Sequence, residues 1–391
     1  MPLYEPIIGI KGFKIVSIRE HGIIEVETKF LGEVTCPHCQ SSDLRKKDSF
    51  LRRIKHHSIG NRTSVILIKS HKFKCKKCLR YFNQRFPGIR PRFQSTEPFR
   101  EEIAQKHHWG FCRSEAAKRT ETSSSTVERC YKDYLKTKDS HAQNGFAPRV
   151  LGIDEKHFTR KKGYMTTFAD LKRKKVFDVT LGRSENSLKP YLERMRGKDN
   201  CRVIVMDLSE TYRSIARKHF KNALIVADRF HVVKLINHHF LKTWSELDEV
   251  GRKNRGLLSL MRRHPENLKP EQVPKLQRYF EGRPDIGSIY DFKQLLMRLV
   301  KARIYSKKEA KRLIPEFLKA IEALKSSGLK HMVTLGETLE RWQEEIVRMW
   351  RFSRTNSITE GLHNRMEEII RRAYGFRNFE NFRLRVKHYC S

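Results

Sequence analysis

Three patterns in the sequence predict a multidomain protein of mixed α+β and α/β class. They are two Cys-x-x-Cys pairs near the N-terminus, a run of three short helices, and a β-rich stretch that passes into alternating helix and strand. Charge narrows the class further. The chain of 391 residues carries 82 Lys and Arg against 44 Asp and Glu, a formal net charge of +38. Its 23 Phe and 12 Tyr are too many large apolar groups for a disordered polycation, so the chain is expected to fold. Net charge of this size costs self-repulsion, which makes a polyanion, and above all nucleic acid, the expected partner. The bland alternative is a generally basic, ribosomal-type protein, and composition does not separate DNA from RNA. No run approaches the roughly 18 to 20 apolar residues of a membrane span. The opening MPLYEPIIGI lacks the layout of a signal peptide. A soluble, cytosolic protein with no membrane partner is therefore expected.

The elements follow in order. Cys36 and Cys39 (CPHC) and Cys75 and Cys78 (CKKC) form two turns with the sulfur spacing that a tetrahedral Zn²⁺ accepts, so one structural zinc is expected. The surrounding Lys, Arg and His favour thiolates, and disulfides would need an oxidising compartment. The gap between the pairs suits a small β-ribbon, with SVILIKSHKFKCKKC returning as a strand. His38, His56, His57 and His71 are read as solvated basic surface. This zinc ribbon-like domain is bounded at 1–92.

From Phe99 the pattern becomes helical: FREEIAQKHHWGF, then SEAAKRT, then SSSTVERCYKDYLK, with Ser123 or Ser124 as cap. A short helix, a polar turn and a longer helix match a helix-turn-helix, whose last helix offers its N-terminal side chains to the major groove. Arg129 and Lys132 on that helix are the candidate DNA contacts. The domain is bounded at 93–147, ending in a polar linker.

Beyond it, RVLGIDEKHF, YMTTFADLKR and KVFDVTLGR read as three antiparallel strands, followed by alternating helices and buried strands to HVVKLINHHFLKTW. The order βββαβαβα is that of the ribonuclease H-like fold. Asp154 lies in the first of these strands and Asp207 ends the fourth. The two are neighbours in that fold, and such a carboxylate pair supports two-metal chemistry with Mg²⁺. Asp170 and Asp178 fall on the outer hairpin and are read as surface. The first part of the core is bounded at 148–240, an all-α insertion at 241–345, and the last part at 346–391. In that last part Leu362, Met366, Ile369, Ile370 and Ala373 form an apolar stripe, while Glu360, His363, Asn364 and Glu367 share a polar face, and Gly375 is the expected stop. Glu360 is the candidate third acid.

The segments GIDEKHF, VIVMDLSETYR, ALIVADRFHVVKLIN and TNSITEGLHNRMEEIIRRAYGFRNFENFRLR, with the two cysteine pairs, together resemble the ISL3 family of bacterial insertion-sequence transposases. The resemblance implies a DDE transposase that binds the terminal inverted repeats of its element and target DNA, as a homodimer or larger assembly, at the nucleoid of the bacterial cytoplasm. It implies two Mg²⁺ per active site, with Mn²⁺ as a substitute, for strand cleavage and transfer. Carried over residue by residue, the triad falls on Asp154, Asp207 and Glu360. Asp228 and His231 match the family's ADRFH segment and are assigned to support of the site, with Asp228 the rival metal ligand. The alternative is a non-catalytic DNA-binding regulator derived from a transposase. Three acids gathered in so basic a chain argue for the enzyme, and the helix-turn-helix argues against an RNA-processing nuclease.

Overall fold

The computed structural model describes residues 8–60, 62–142, 146–304, 306–352 and 357–390. Two compact units divide the chain, Met1–His141 and Ala142–Ser391.

The first unit is built on a five-stranded sheet rather than a small ribbon. Strands β1 (Phe13–Glu20) and β2 (Ile24–Phe30) form a hairpin through Gly22, at φ 77°. Strands β3 (Leu44–Ile59) and β4 (Arg62–Cys75) form a longer one in which Leu44 faces Cys75. Strand β2 runs parallel to β4, and the short β5 (Tyr81–Asn83) pairs with the far end of β4. Ile8, Phe13, Ile54, Ile66, Ile68 and Phe86 pack into one apolar core. His56, expected on solvated surface, is instead buried, with its Nδ1 2.9 Å from Thr96 Oγ1.

Three helices complete the unit: α1 (Glu97–Trp109), α2 (Arg113–Arg119) and α3 (Ser124–Ala142). α1 begins before Phe99 because the Thr96 hydroxyl accepts the Phe99 N–H as its cap. Ser123 plays that part for α3, accepting from Thr126 N–H at 3.1 Å. Phe99, Ile103, Ala116, Ala117, Val127 and Cys130 form their common core.

The second unit holds a mixed sheet of strands β6 (Val150–Thr159), β7 (Gly163–Asp170), β8 (Lys175–Leu181), β9 (Val203–Met206) and β10 (Leu224–Ala227). Its spatial order is β10-β9-β6-β7-β8, with β6, β7 and β8 an antiparallel meander and β9 and β10 parallel to β6. Every residue of β9 is buried, as a strand covered on both faces requires. The crossovers are α4 (Glu185–Arg194), capped by Ser184, and α5 (Glu210–His219), and the chain leaves β10 into α6 (Arg229–Leu247).

A helical region follows: α7 (Glu249–Lys253), α8 (Arg255–Arg262), α9 (Val273–Gly282), α10 (Pro284–Lys301), α11 (Lys307–Lys325), α12 (Lys330–Arg341) and α13 (Gln343–Met349). No strand interrupts it among the described residues. The chain then returns to the sheet in α14 (Ser357–Arg372) and α15 (Phe379–Tyr389). Leu362, Met366 and Ile369 are buried, as the apolar stripe of α14 demands.

Asp178 departs from expectation. It is buried under α15, where Arg383 donates from Nε and Nη2 to its two carboxylate oxygens at 2.6 Å each. Asp170, half-buried, accepts the backbone N–H groups of Lys172 and Arg173 and so shapes the β7–β8 turn. No helix of the described residues is long and apolar enough to cross a membrane.

Candidate active site and four-cysteine centre

Strand register brings three carboxyl groups into one row. β6 pairs in parallel with β9 so that Ile153 lies beside Met206, and β9 pairs with β10 so that Met206 lies beside Ala227. The next residue of each strand is an acid: Asp154, Asp207 and Asp228. The row thus runs from the middle of β6, at Asp154, to the positions just beyond the carboxyl ends of β9 and β10, at Asp207 and Asp228.

Burial and like charge dominate its electrostatics. Asp154 is 8% exposed, and its Oδ1 accepts the N–H of Glu155 at 2.8 Å. Burial, with the charges of Asp207, Asp228 and Glu155, pushes its pKa up to about 7. Asp207 is pushed up to about 6 by burial and by Glu155 and Asp228, and its buried Oδ1 has no hydrogen-bond partner among the described residues. Neither acid has a Lys or Arg partner among those residues. Asp228 is fully buried, caps α6 by accepting from Phe230 N–H, and has Oδ2 3.6 Å from His231 Nε2. Burial lowers the pKa of His231, against the pull of Asp228, Glu155 and Glu360.

Glu360 lies exposed in the first turn of α14, without an ion-pair partner among the described residues. Its charge is felt at His231, but Asp154, Asp207 and Glu360 are not all drawn within 4.8 Å of one another, as mutual repulsion between carboxylates predicts. One turn later comes a residue whose role the polar-face reading missed. His363 is buried, not solvated, with Nε2 3.0 Å from Thr167 Oγ1 and Nδ1 3.8 Å from Asp154 Oδ2. Burial and Lys156 lower its pKa to about 4, so the imidazole is neutral. It seats α14 on β6 and β7. Glu367, one further turn along, is taken up by Lys156 at 2.6 Å. The two flanking acids of α14 therefore differ: one is neutralised by a lysine and the other is not.

The residues fit a divalent cation of the hard, oxygen-seeking kind. Asp154 and Asp207 are held in register without a protein cation, in a chain with ample Lys and Arg to supply one.

In the other unit, Cys36, Cys39, Cys75 and Cys78 bring their sulfurs within 4.8 Å of one another. Cys36 Sγ is 3.6 Å from Cys78 Sγ, and Cys39 Sγ 3.5 Å from Cys75 Sγ. The two turns close in the same way. Cys36 N–H donates to Ser41 C=O and Cys75 N–H to Arg80 C=O, each at 2.9 Å. Gln40 and Leu79, just after each pair, both take left-handed backbone, at φ 60° and 59°. Four converging thiols on two such knuckles are a zinc-ribbon donor set.

Of the two candidate DNA contacts, Arg129 is exposed on α3 and donates to Thr126 Oγ1, whereas Lys132 is half-buried and paired with Glu128 at 2.8 Å.

Residues 151–386, more than half of the chain, match the DDE family of ISL3 type described as Transposase. Residues 32–78 match the zinc-finger of transposases IS204, IS1001, IS1096 and IS1165. Among curated proteins, the transposase for insertion sequence element IS1001 of Bordetella parapertussis is 24% identical over 247 residues. That alignment spans 61% of this chain and 60% of the relative. The chain belongs to the ISL3 family of DDE transposases.

Proposed function

We propose that this chain is a DNA transposase that binds the terminal inverted repeats of an insertion sequence and catalyses cleavage and transfer of DNA strands. The observation that carries the reading is the row of acids across β6, β9 and β10, with Asp154 and Asp207 raised in pKa and without a Lys or Arg partner among the described residues. The strand order β10-β9-β6-β7-β8 supports a ribonuclease H-like core made of 148–240 and 346–391, with 241–345 as its helical insertion.

Asp154, Asp207 and Glu360 would hold two Mg²⁺, or Mn²⁺ in their place. When bound, such a pair activates the attacking oxygen and stabilises the leaving one in an in-line displacement at phosphorus. Asp228 fixes the start of α6 and holds His231 beside the acids. His363 fixes the turn of α14 from which Glu360 extends. Water, in cleavage, and a freed 3′-hydroxyl, in strand transfer, are attacking groups that one arrangement of acids can serve.

The N-terminal unit supplies recognition, with one structural Zn²⁺ on Cys36, Cys39, Cys75 and Cys78 in domain 1–92 and a helix-turn-helix in 93–147. Arg129 is the stronger of its two candidate contacts, because Lys132 is already paired. The partners are double-stranded DNA, at element ends and targets, and further copies of the chain, at the nucleoid of a bacterial cytoplasm.

The test compares Glu360→Gln with Glu367→Gln in a cleavage assay on DNA carrying the element's own ends. Glu360→Gln is expected to abolish cleavage and Glu367→Gln to retain it, since Glu367 already answers to Lys156. Cleavage by Glu360→Gln at the wild-type rate would reject the triad. End binding without cleavage by the wild-type protein would favour the regulator.

A further inference from the structure

The loop after α14 carries an aromatic ring that the chemistry above leaves unused. Two bonds close the end of the helix: Gly375 N–H donates to Ile370 C=O at 2.9 Å and Tyr374 N–H to Arg371 C=O at 3.1 Å. This is a Schellman closure, whose left-handed position is ordinarily glycine because a Cβ is unfavourable there. The sequence leads one to expect Gly375 to end the helix, yet Tyr374 takes that position, at φ 52°, and glycine follows at φ 92°. The ring is 93% exposed, the most open of the large apolar side chains among the described residues. A bulky residue held in strained backbone, with nothing of its own unit against it, is the kind of feature that functional sites retain.

Its surroundings are basic. Arg371, Arg372 and Arg377 are all exposed; Arg371 and Arg372 face Glu367 and Glu368 one turn back, and Arg377 has no ion pair among the described residues. An open aromatic ring on a segment that carries three exposed arginines matches the chemistry of nucleic-acid stacking, in which a base lies on the ring while arginines meet the neighbouring phosphates. Bases inside an intact duplex have both faces covered, so the fitting ligand is a base that is unpaired.

We infer that Tyr374, with Arg371, Arg372 and Arg377, is a stacking platform for an unpaired base in the DNA on which the enzyme acts, an inference that rests on the DNA-processing reading above. The helix rise sets the reach. Tyr374 lies fourteen residues beyond Glu360, just past the end of α14, about 21 Å along the helix axis. The two closing hydrogen bonds hold the ring in place, so little loop ordering opposes the contact.

Full-length wild-type protein, Tyr374→Phe and Tyr374→Gly would be titrated at fixed salt with a duplex containing a short single-stranded gap and with the same duplex intact. Tyr374→Phe should bind gapped DNA as wild type does. Tyr374→Gly should bind it about tenfold more weakly, within the range for loss of one stacked base. Binding to intact duplex should not change, and Tm should hold or rise, because glycine relieves the strained backbone. That opposition between stability and binding is what a merely structural tyrosine would not produce. With 5-iodouracil placed in the gap, irradiation should crosslink the peptide that contains Tyr374. The inference is overturned alone if wild type and Tyr374→Gly bind gapped DNA equally, or if Tyr374→Gly lowers Tm and weakens both DNAs together. It is likewise overturned if the substitution changes the oligomeric state and leaves DNA binding intact, which would mark a protein interface. Failure of the wild-type protein to bind any DNA would remove both this inference and the function on which it rests.

Discussion

Asp154→Asn tests the energetics of the acidic row directly. In metal-free protein the rise of the Asp154 pKa from 3.8 to about 7 corresponds to about 4 kcal/mol of penalty when the group ionises, at about 1.36 kcal/mol per unit of pKa. Solvent relaxation around an empty carboxylate row reduces that to about 2–3 kcal/mol. The sign follows from proton binding. A carboxyl whose folded pKa lies above its unfolded value binds more protons in the folded state, so stability is full below about pH 4 and is lost as pH rises through about 7. Asparagine cannot ionise, and its carbonyl oxygen can still accept the Glu155 N–H. The variant should therefore exceed wild type by about 2–3 kcal/mol at pH 8 in chelator and match it near pH 4. Urea denaturation followed by tryptophan fluorescence suits the measurement, because Trp244, Trp342 and Trp350 are all buried in the unit that holds the site. Mg²⁺ at about 1,000 times its Kd should reverse the order, since it adds about 4.1 kcal/mol to the protein that binds it. An Asp154→Asn protein no more stable than wild type at pH 8 without metal, or one with an advantage independent of pH, would refute the reasoning.

Zinc removal should act on the N-terminal unit alone: strong chelation should expose Cys36, Cys39, Cys75 and Cys78 to alkylation while the tryptophan signal of the second unit persists. Protection of the thiols throughout chelation would contradict this. A 1–141 fragment should prefer element-end DNA to scrambled DNA, with affinity falling steeply as salt rises, and Arg129→Ala should weaken it, as read by fluorescence anisotropy. Arg383→Leu should destabilise the second unit by about 2–3 kcal/mol, because it strands the buried Asp178 carboxylate, and Asp178→Asn in the same chain should restore much of the loss. A midpoint in urea that Arg383→Leu leaves unmoved would place Asp178 in solvent after all.

Much of the second unit was legible because its strands carry short, nearly unbroken apolar runs, VLGI, VIVM and LIVA, each followed by an acid. Asp154 within the first of these strands and Asp207 at the end of the fourth were picked out by the same pattern. What escaped reading depends on partners far along the chain. His363 has the polar signature of a solvated helical face, and only Thr167, 196 residues earlier, turns it inward. Asp178 lies on an outer strand and reads as surface until α15 lays Arg383 over it from 205 residues away. His56 reads as one of several basic-surface histidines, and the Thr96 hydroxyl that receives it belongs to a helix cap. At the end of α14 periodicity gave the helix correctly, but local propensity put glycine where the chain has tyrosine.

The two units answer one electrostatic problem with different chemistry. Each gathers groups that repel one another once ionised. Among the thiols, the Cys78 N–H and neighbouring hydrogen bonds pull Cys75 down to about 7. At Cys39 the Ser41 N–H favours the thiolate, but burial and the other three thiols outweigh it and raise the group to about 11. Four thiolates cannot coexist there without a cation, just as Asp154 and Asp207 cannot both ionise freely at neutral pH. Sulfur and oxygen then sort the metals: soft thiolates in a closed tetrahedral set suit zinc, whereas carboxylates in an open row suit Mg²⁺, which keeps part of its water. Closure suits a structural site, because no position remains for substrate. An open row, with Glu360 exposed at its margin, leaves room for a phosphodiester. No Lys or Arg pairs with Asp154 or Asp207 among the described residues, so the chain's excess of positive charge could meet a polyanion without neutralising that pair.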